Sequence, residues 1–359
     1  WLIKTYDRNT FQEKIEKNYP YMVASNIVNR IFPLVVYLGN KANLVDILRN
    51  KFPKKTEYDM SWDQLVPFTL NFKRNSKTLK NDLDKHLGQY KGSIKWIAKP
   101  SMGKQGTGIF ISHNIDEIYK HIINDPDEND TWSISRYIES PFVIQKRKTH
   151  IRTFILVSKS GPKVGVYEMK PHLLFMAGLP YNMGDAQEFM NSFIKENIKG
   201  KIISKDKKTL GRFNDFRNLT NLSKGAWMLK NWVKNPGDIK QNKYEEKSIE
   251  HRLLNKTNDK KNIGYEILSG DAQKLIDEEK GIDYYQNHIS PQINKIVEQT
   301  IRSISDEIEC VNKKSNKCYQ YVAFDFMIEE TNETPKVWML EVNVNPGLRA
   351  PTKLLDKKG

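Results

Sequence analysis

The sequence predicts a mixed α/β protein of more than one lobe, and three observations predict it. Residues 93–138 run strand, glycine-bearing loop, helix, strand. Residues 150–169 read as two β-branched-rich strands about the turn Ser160-Gly161-Pro162. Near the C-terminal end, an amphipathic helix precedes two apolar strands, 321–329 and 336–343. A chain of 359 residues exceeds one average domain, and 38% hydrophobic with 11% aromatic residues supplies a real core. A fibre, a mini-protein and a disordered chain are thereby excluded.

Taken in order, residues 1–30 carry no catalytic cluster and are expected to form a small leading lobe; because the chain opens at Trp1 without a Met, residues are expected to be missing before it. A second lobe, 31–140, opens with Ile31-Phe32-Pro33-Leu34-Val35-Val36-Tyr37-Leu38, a short buried strand or turn. A helix over 43–50 follows, with Leu44, Val45, Ile47 and Leu48 at helical spacing. Residues 62–70 are apolar around Pro67, and 77–87 reads as an amphipathic helix ended by Gly88. The strand 93–99 runs into Pro100, a helix occupies 116–123, and Asp125-Pro126-Asp127 turns the chain into the strand 132–138. A third lobe, 141–359, holds the strand pair 150–157 and 163–169 and a polar stretch, 199–261, read as loop-rich or ordering on binding. Its helix, 289–308, carries Ile293, Ile296, Val297, Thr300, Ile301, Ile304 and Ile308, with Pro291 in the first turn. There is no internal repeat and no heptad run.

Composition narrows the function. No window approaches 18 consecutive apolar residues, so no membrane span is expected. Cys310 and Cys318 are too few for a disulfide framework or a zinc site; two ordinary thiols and a reducing compartment are expected. Lys plus Arg outnumber Asp plus Glu by 58 to 43, a net charge of +15. Such a surplus favours an anionic partner, whether nucleic acid, acidic polypeptide or nucleotide phosphate, although a lysine-rich compositional bias supplies part of it. No Ser-His-Asp or Cys-His set emerges, and the seven His show no zinc spacing.

The sharpest constellation is the closing strand pair. Asp325 interrupts the apolar run Phe324-Asp325-Phe326-Met327, and Glu341 and Asn343, two positions apart on one strand face, interrupt Trp338-Met339-Leu340-Glu341-Val342-Asn343. Three hard oxygen donors on adjacent strands suit magnesium, which keeps positions open for phosphate oxygens. The second is Lys99-Pro100-Ser101-Met102-Gly103-Lys104-Gln105-Gly106-Thr107-Gly108, a strand lysine followed by a three-glycine loop that suits a lid over a triphosphate. It matches neither the P-loop nor the dinucleotide fingerprint. The third is Ser135-Arg136-Tyr137-Ile138-Glu139, whose backbone is placed to meet a base edge, followed by Arg152, which is suited to clamp a phosphate with two parallel bonds. Asn218-Leu219-Thr220-Asn221 alone reads as a loop.

In chain order these pieces resemble the tubulin-tyrosine ligase and tubulin-tyrosine-ligase-like family. Ile31-Phe32-Pro33 with Lys41-Ala42-Asn43-Leu44 resembles its Phe-Pro and Lys-x-x-Leu opening, and Val66-Pro67-Phe68-Thr69-Leu70 its Pro-x-Thr-Phe segment. Trp96-Ile97-Ala98-Lys99-Pro100 with Gly106-Thr107-Gly108 resembles the nucleotide lysine and glycine loop. Ser135-Arg136-Tyr137-Ile138 stands where Gln-Lys-Tyr-Ile is usual, so Arg136 replaces the hinge lysine. Lys148-Thr149-His150-Ile151-Arg152 resembles Lys-Phe-Asp-Ile-Arg with His150 in place of Asp, and Asn218-Leu219-Thr220-Asn221 resembles His-Leu-Thr-Asn. The likeness runs from about residue 31 to 351 and rests on the whole series, since the final triad with Asn345-Pro346-Gly347 also resembles D-alanine-D-alanine ligases.

The resemblance implies an ATP-grasp fold: a small N-terminal lobe, a central α/β lobe and a larger C-terminal lobe, with ATP between the last two. It implies a cytoplasmic, cytoskeleton-associated monomer that joins a free amino acid to a carboxylate of tubulin or another acidic polypeptide through an acyl phosphate. Lys99, Arg152 and Glu341 would be catalytic, and Asp325, Glu341 and Asn343 would hold two Mg²⁺ ions. ATP would meet Lys99, Gln105, Gly106, Gly108, Arg136, Tyr137, Ile138, Arg152, Thr220 and Asn221. Rival readings are an ATP-grasp ligase of a non-tubulin substrate, an ATP-binding pseudoenzyme on microtubules, and a nucleic-acid binder, for which no recognition motif appears.

Overall fold

The structure, a computed structural model, describes residues 30–32, 34–90, 92–102, 108–125, 130–144, 147–181, 270–312, 317–344 and 346. They fall into two compact units. The first comprises the described residues of Trp1–Ser140, Arg152–His172 and Asp283–Arg349, the second those of Pro141–Ile151, Leu173–Ile282 and Ala350–Gly359.

The first unit opens with β1 (Ile31–Phe32), α1 (Leu34–Tyr37) and α2 (Lys41–Lys51), so the apolar stretch expected as strand or turn is mostly helical. Asn40 caps α2, its side chain accepting from the Ala42 and Asn43 amides, and leaves Lys41 as the first helical residue. After α3 (Trp62–Leu65), a four-stranded antiparallel sheet runs in the order β2 (Thr69–Lys73), β5 (Thr131–Arg136), β3 (Trp96–Pro100), β4 (Phe110–Ser112). Alternation divides its faces. Phe72, Trp96, Ala98, Trp132 and Ile134 bury into one core with Leu79, Leu83 and Leu87 of α4 (Leu79–Leu87) and Ile115, Ile118 and Ile122 of α5 (Ile115–Ile123). Each fully buried side chain of this size contributes about 1.5–3 kcal/mol. The opposite face is polar: Lys99 stands opposite Ser133, which stands opposite Asn71, and Asn71 donates to the Ala42 carbonyl and Asp46 of α2.

A second sheet orders β12 (Lys336–Asn343), β11 (Lys317–Glu329), β7 (Arg147–Ser160) and β8 (Lys163–Pro180). Helix α7 (Ser290–Arg302) carries Pro291 in its first turn as expected and packs on β12, where the Thr300 hydroxyl meets Met339 Sδ at 3.8 Å. The register of β11 against β12 pairs Met327 with Trp338 and Phe326 with Met339, then slips so that Asp325 faces Glu341. Leu340 is therefore the extra residue of a β-bulge. Unbroken alternation through Leu340 would put Glu341 on the core face of Met339; with the bulge, Glu341 and Asn343 join the face of Asp325, Met327, Trp338 and Lys336.

The expectation of two ordinary thiols is overturned. β10 (Glu309–Cys310) pairs with β1, and Cys310 and Cys318 are disulfide-bonded with Cα atoms 5.5 Å apart, inside the span a disulfide bridges. Two cysteines eight residues apart carried no sign of the turn that brings them together, and the argument for a reducing compartment lapses with the thiols.

In the second unit, β6 (Val143–Ile144) pairs with the first residues of β7, and β9 (Gly270–Asp271) with β8 at Leu173–Leu174. There α6 (Ala272–Lys280) buries Ala272 and Ile276, and the His150 ring stacks on Phe175 with centroids 4.8 Å apart.

Candidate functional site

The first unit gathers two carboxylates, a carboxamide and three cations around the β11–β12 bulge. Arg152 grips Asp325 with two parallel bonds of 2.7 Å, and Asp325 is almost fully buried. Burial opposes the guanidinium's charge, but the hydrogen bonds to Asp325 outweigh it and hold Arg152 above its ordinary pKa. The Asn343 amide lies 3.0 Å from Asp325 Oδ2 and 3.5 Å from Glu341 Oε1. Lys41 reaches Glu341 Oε2 at 3.3 Å, and its own amide donates to the Ser101 carbonyl just past β3.

Lys99 completes the set. Its ammonium is half-buried and makes no hydrogen bond or ion pair among the described residues. Burial, opposed in part by the Glu341 carboxylate and reinforced by Lys41, brings its pKa down from 10.5 to about 8. A cation held in this way near Glu341, without an ion pair among the described residues, is suited to meet an incoming anion.

Asp325, Glu341 and Asn343 offer only hard oxygen donors, the chemistry that Mg²⁺ takes. Among the described residues no three His, Cys, Asp or Glu are grouped to hold a metal, so the carboxamide of Asn343 is what makes the set three-membered. Along the same face, Met327 and Trp338 cluster with Ile138, and Leu340 packs on them, forming an apolar shelf beside the acids.

Of the residues singled out in the sequence, Lys99, Arg152, Asp325, Glu341 and Asn343 meet here. Arg136 does not: it leaves β5 toward Glu329, with bonds of 2.7 and 2.8 Å. Tyr137 and Ile138 are buried just beyond the strand. Gly108 takes φ +73°, and a Cβ there would stand 2.6 Å from Pro100 Cγ, so the loop returns against β3 only as glycine. Gln105, Gly106, Thr220 and Asn221 lie outside the described residues. Lys41 was missed as a site residue. Its signals were its place in the Lys-x-x-Leu opening and an N-cap asparagine that makes it the first helical residue, and neither says what that lysine faces.

The family description "Tubulin-tyrosine ligase family" matches residues 26–194 and 246–357. Tubulin glycylase 3C of Tetrahymena thermophila is 24% identical over 262 residues, covering 73% of this chain and 19% of its own length. The probable alpha-tubulin polyglutamylase Ttll1 of the same organism is 25% identical over 269 residues, 72% of this chain and 50% of its own. Tubulin polyglutamylase TTLL5 of Mus musculus is 24% identical over 259 residues, 72% of this chain and 15% of its own. The chain thus spans about a fifth of the glycylase and half of the probable polyglutamylase.

Proposed function

The chain belongs to the tubulin-tyrosine ligase family, and on that premise we propose that it is an ATP-dependent ligase joining a free amino acid to a carboxylate of an acidic polypeptide, with the tubulin tail as acceptor. Membership implies an ATP-grasp-like fold, for which we take 31–140 and 141–359 as the central and C-terminal lobes. The relatives are glycylases and polyglutamylases, which puts glycine and glutamate ahead of tyrosine as the added amino acid, and tubulin as substrate puts the protein in the cytoplasm. The observation that supports a phosphate substrate best is Lys99: a half-buried residue whose ammonium makes no ion pair among the described residues, near the Glu341 carboxylate that Lys41 already meets.

In this reading Lys99 and Arg152 receive the phosphates of ATP, and the backbone after Arg136 together with the Ile138–Met327–Leu340 shelf receives the base. Asp325, Glu341 and Asn343 would hold Mg²⁺, which supplies charge neutralisation at the phosphate oxygens. The acceptor carboxylate attacks the γ-phosphorus and ADP leaves, giving an acyl phosphate. The amino group of the incoming amino acid then attacks the acyl carbon, inorganic phosphate departs, and one proton is lost from nitrogen as the amide forms. The chain's task is positioning and electrostatics, and exclusion of the water that would hydrolyse the acyl phosphate.

The test is incubation with Mg-ATP, tubulin and radiolabelled glycine, glutamate or tyrosine in parallel, beside a Glu341→Gln control. Label entering tubulin from one amino acid and absent from the control is the expected result. Binding of ATP without label in tubulin would overturn the ligase reading in favour of a pseudoenzyme or a small-molecule ligase.

A further inference from the structure

The Arg136 guanidinium is engaged by Glu329. Both of its bonds to Glu329 are short, and Glu329 Oε2 also accepts from the Trp338 indole at 2.7 Å. Arg136 stands 5.2 Å from the centre of the Trp338 ring, and the Lys336 ammonium 5.0 Å from the same ring. The backbone follows the same path. The Arg136 amide donates to the Phe68 carbonyl, the Tyr137 amide to the Lys95 carbonyl, and the Glu330 amide to the Ser140 carbonyl. Both ends of the segment that leaves β5 are therefore fastened, one to the four-stranded sheet and the other to the end of β11. That sheet carries Lys99; β11 and β12 carry Asp325, Glu341 and Asn343.

We infer that Arg136 is a positioning residue rather than a nucleotide contact: through Glu329 and Trp338 it sets the spacing between the sheet that carries Lys99 and the strands that carry the acids. The nucleotide part of its consequence rests on the function proposed above; the spacing itself does not. A lysine at this position places a point charge near Glu329 but cannot make the two parallel bonds or lie flat on the indole. Arg136 thus acts as a planar clamp with a matching carboxylate and indole.

Two measurements on Arg136→Met, Arg136→Lys and Glu329→Gln separate the possibilities, each variant first being shown to keep the wild-type circular dichroism. The first is the rate at which an acylating reagent labels Lys99, read by peptide mass spectrometry at fixed pH. The second is the Kd for Mg-ATP by calorimetry. Arg136→Met should raise Lys99 labelling several-fold and weaken Mg-ATP by about tenfold, with partial rescue of both by Arg136→Lys. Glu329→Gln, which touches no nucleotide in any reading, should reproduce both effects, and it serves where Arg136→Met fails to fold. Unchanged Lys99 labelling in Arg136→Met and Glu329→Gln would overturn the inference, as would weakened ATP binding in the Arg136 variants alone. If the wild type binds no Mg-ATP while the variants still expose Lys99, the clamp stands and the nucleotide reading falls.

Discussion

Lys99 pays for its place in stability, and the sign of that cost can be worked out. Its pKa is lowered from 10.5 to about 8, so between those values the unfolded chain binds a proton that the folded chain does not. Folding is penalised at neutral pH, and the penalty fades as pH rises from about 8 to about 10.5. At about 1.4 kcal/mol per pKa unit the ceiling is about 3 kcal/mol. Lys99→Met should therefore raise the denaturation midpoint at pH 7 and lose that advantage by pH 10, while abolishing Mg-ATP binding; equal midpoints at pH 7 would show the ammonium to be solvated or paired. Arg152 works in the opposite direction. Removing it in Arg152→Met leaves Asp325 buried without its clamp, a loss of about 1–3 kcal/mol, to be read from urea unfolding. The residue types at these positions were legible in the sequence because a lysine before a glycine loop and acids within apolar strands violate the local pattern. Lys41 violates nothing, since a lysine at the start of a helix is ordinary, and only the tertiary approach of Glu341 gives it a role.

The elements that position these residues were legible in proportion to how local their causes are. Helices α4, α5 and α7 and strands β3, β11 and β12 follow from apolar spacing, and β12 spans the residues expected. The stretch 31–38 failed because its apolar run has the length of a strand, whereas packing of Leu34 and Leu38, both almost fully buried, is met by a turn of helix. The bulge at Leu340 was invisible, because strict alternation groups Glu341 with Asn343 whether or not an extra residue precedes them. Yet with Leu340 in the chain the bulge decides which face they occupy. Deleting Leu340 removes the extra residue and leaves Glu341 and Asn343 on the face of Asp325, because Trp338, Met339 and Glu341 then alternate in plain register. We expect that deletion to lower the urea midpoint only by the lost packing of Leu340 on Ile138, Met327 and Trp338; a severe drop would mean that the bulge itself is needed to hold the register. Gly108→Ala tests the turn back to β3 in the same way, with about 1–3 kcal/mol expected from the positive φ and the approach to Pro100.

At the scale of the whole molecule the net charge of +15 is the property that no single element explains. Within the described site the charges largely cancel, since Arg152 meets Asp325 and Lys41 meets Glu341, so the surplus lies elsewhere on the chain. Two causes are consistent with it. One is compositional drift toward lysine, which leaves association with any particular partner unaffected. The other is steering of an acidic polypeptide, which acts over distances set by the Debye length, about 10 Å at 0.1 M salt, and therefore weakens as salt is added. Rates separate them. With a glutamate-rich peptide, steering requires the association rate constant to fall steeply between about 50 and about 300 mM salt while the dissociation rate changes little, because long-range attraction acts on encounter rather than on the docked pair. A serine-for-glutamate peptide of the same length should associate slowly at both salt concentrations. If the two peptides associate at equal rates, the surplus is compositional, and recognition of the acceptor falls to the short-range contacts around Lys99 and Arg152 alone.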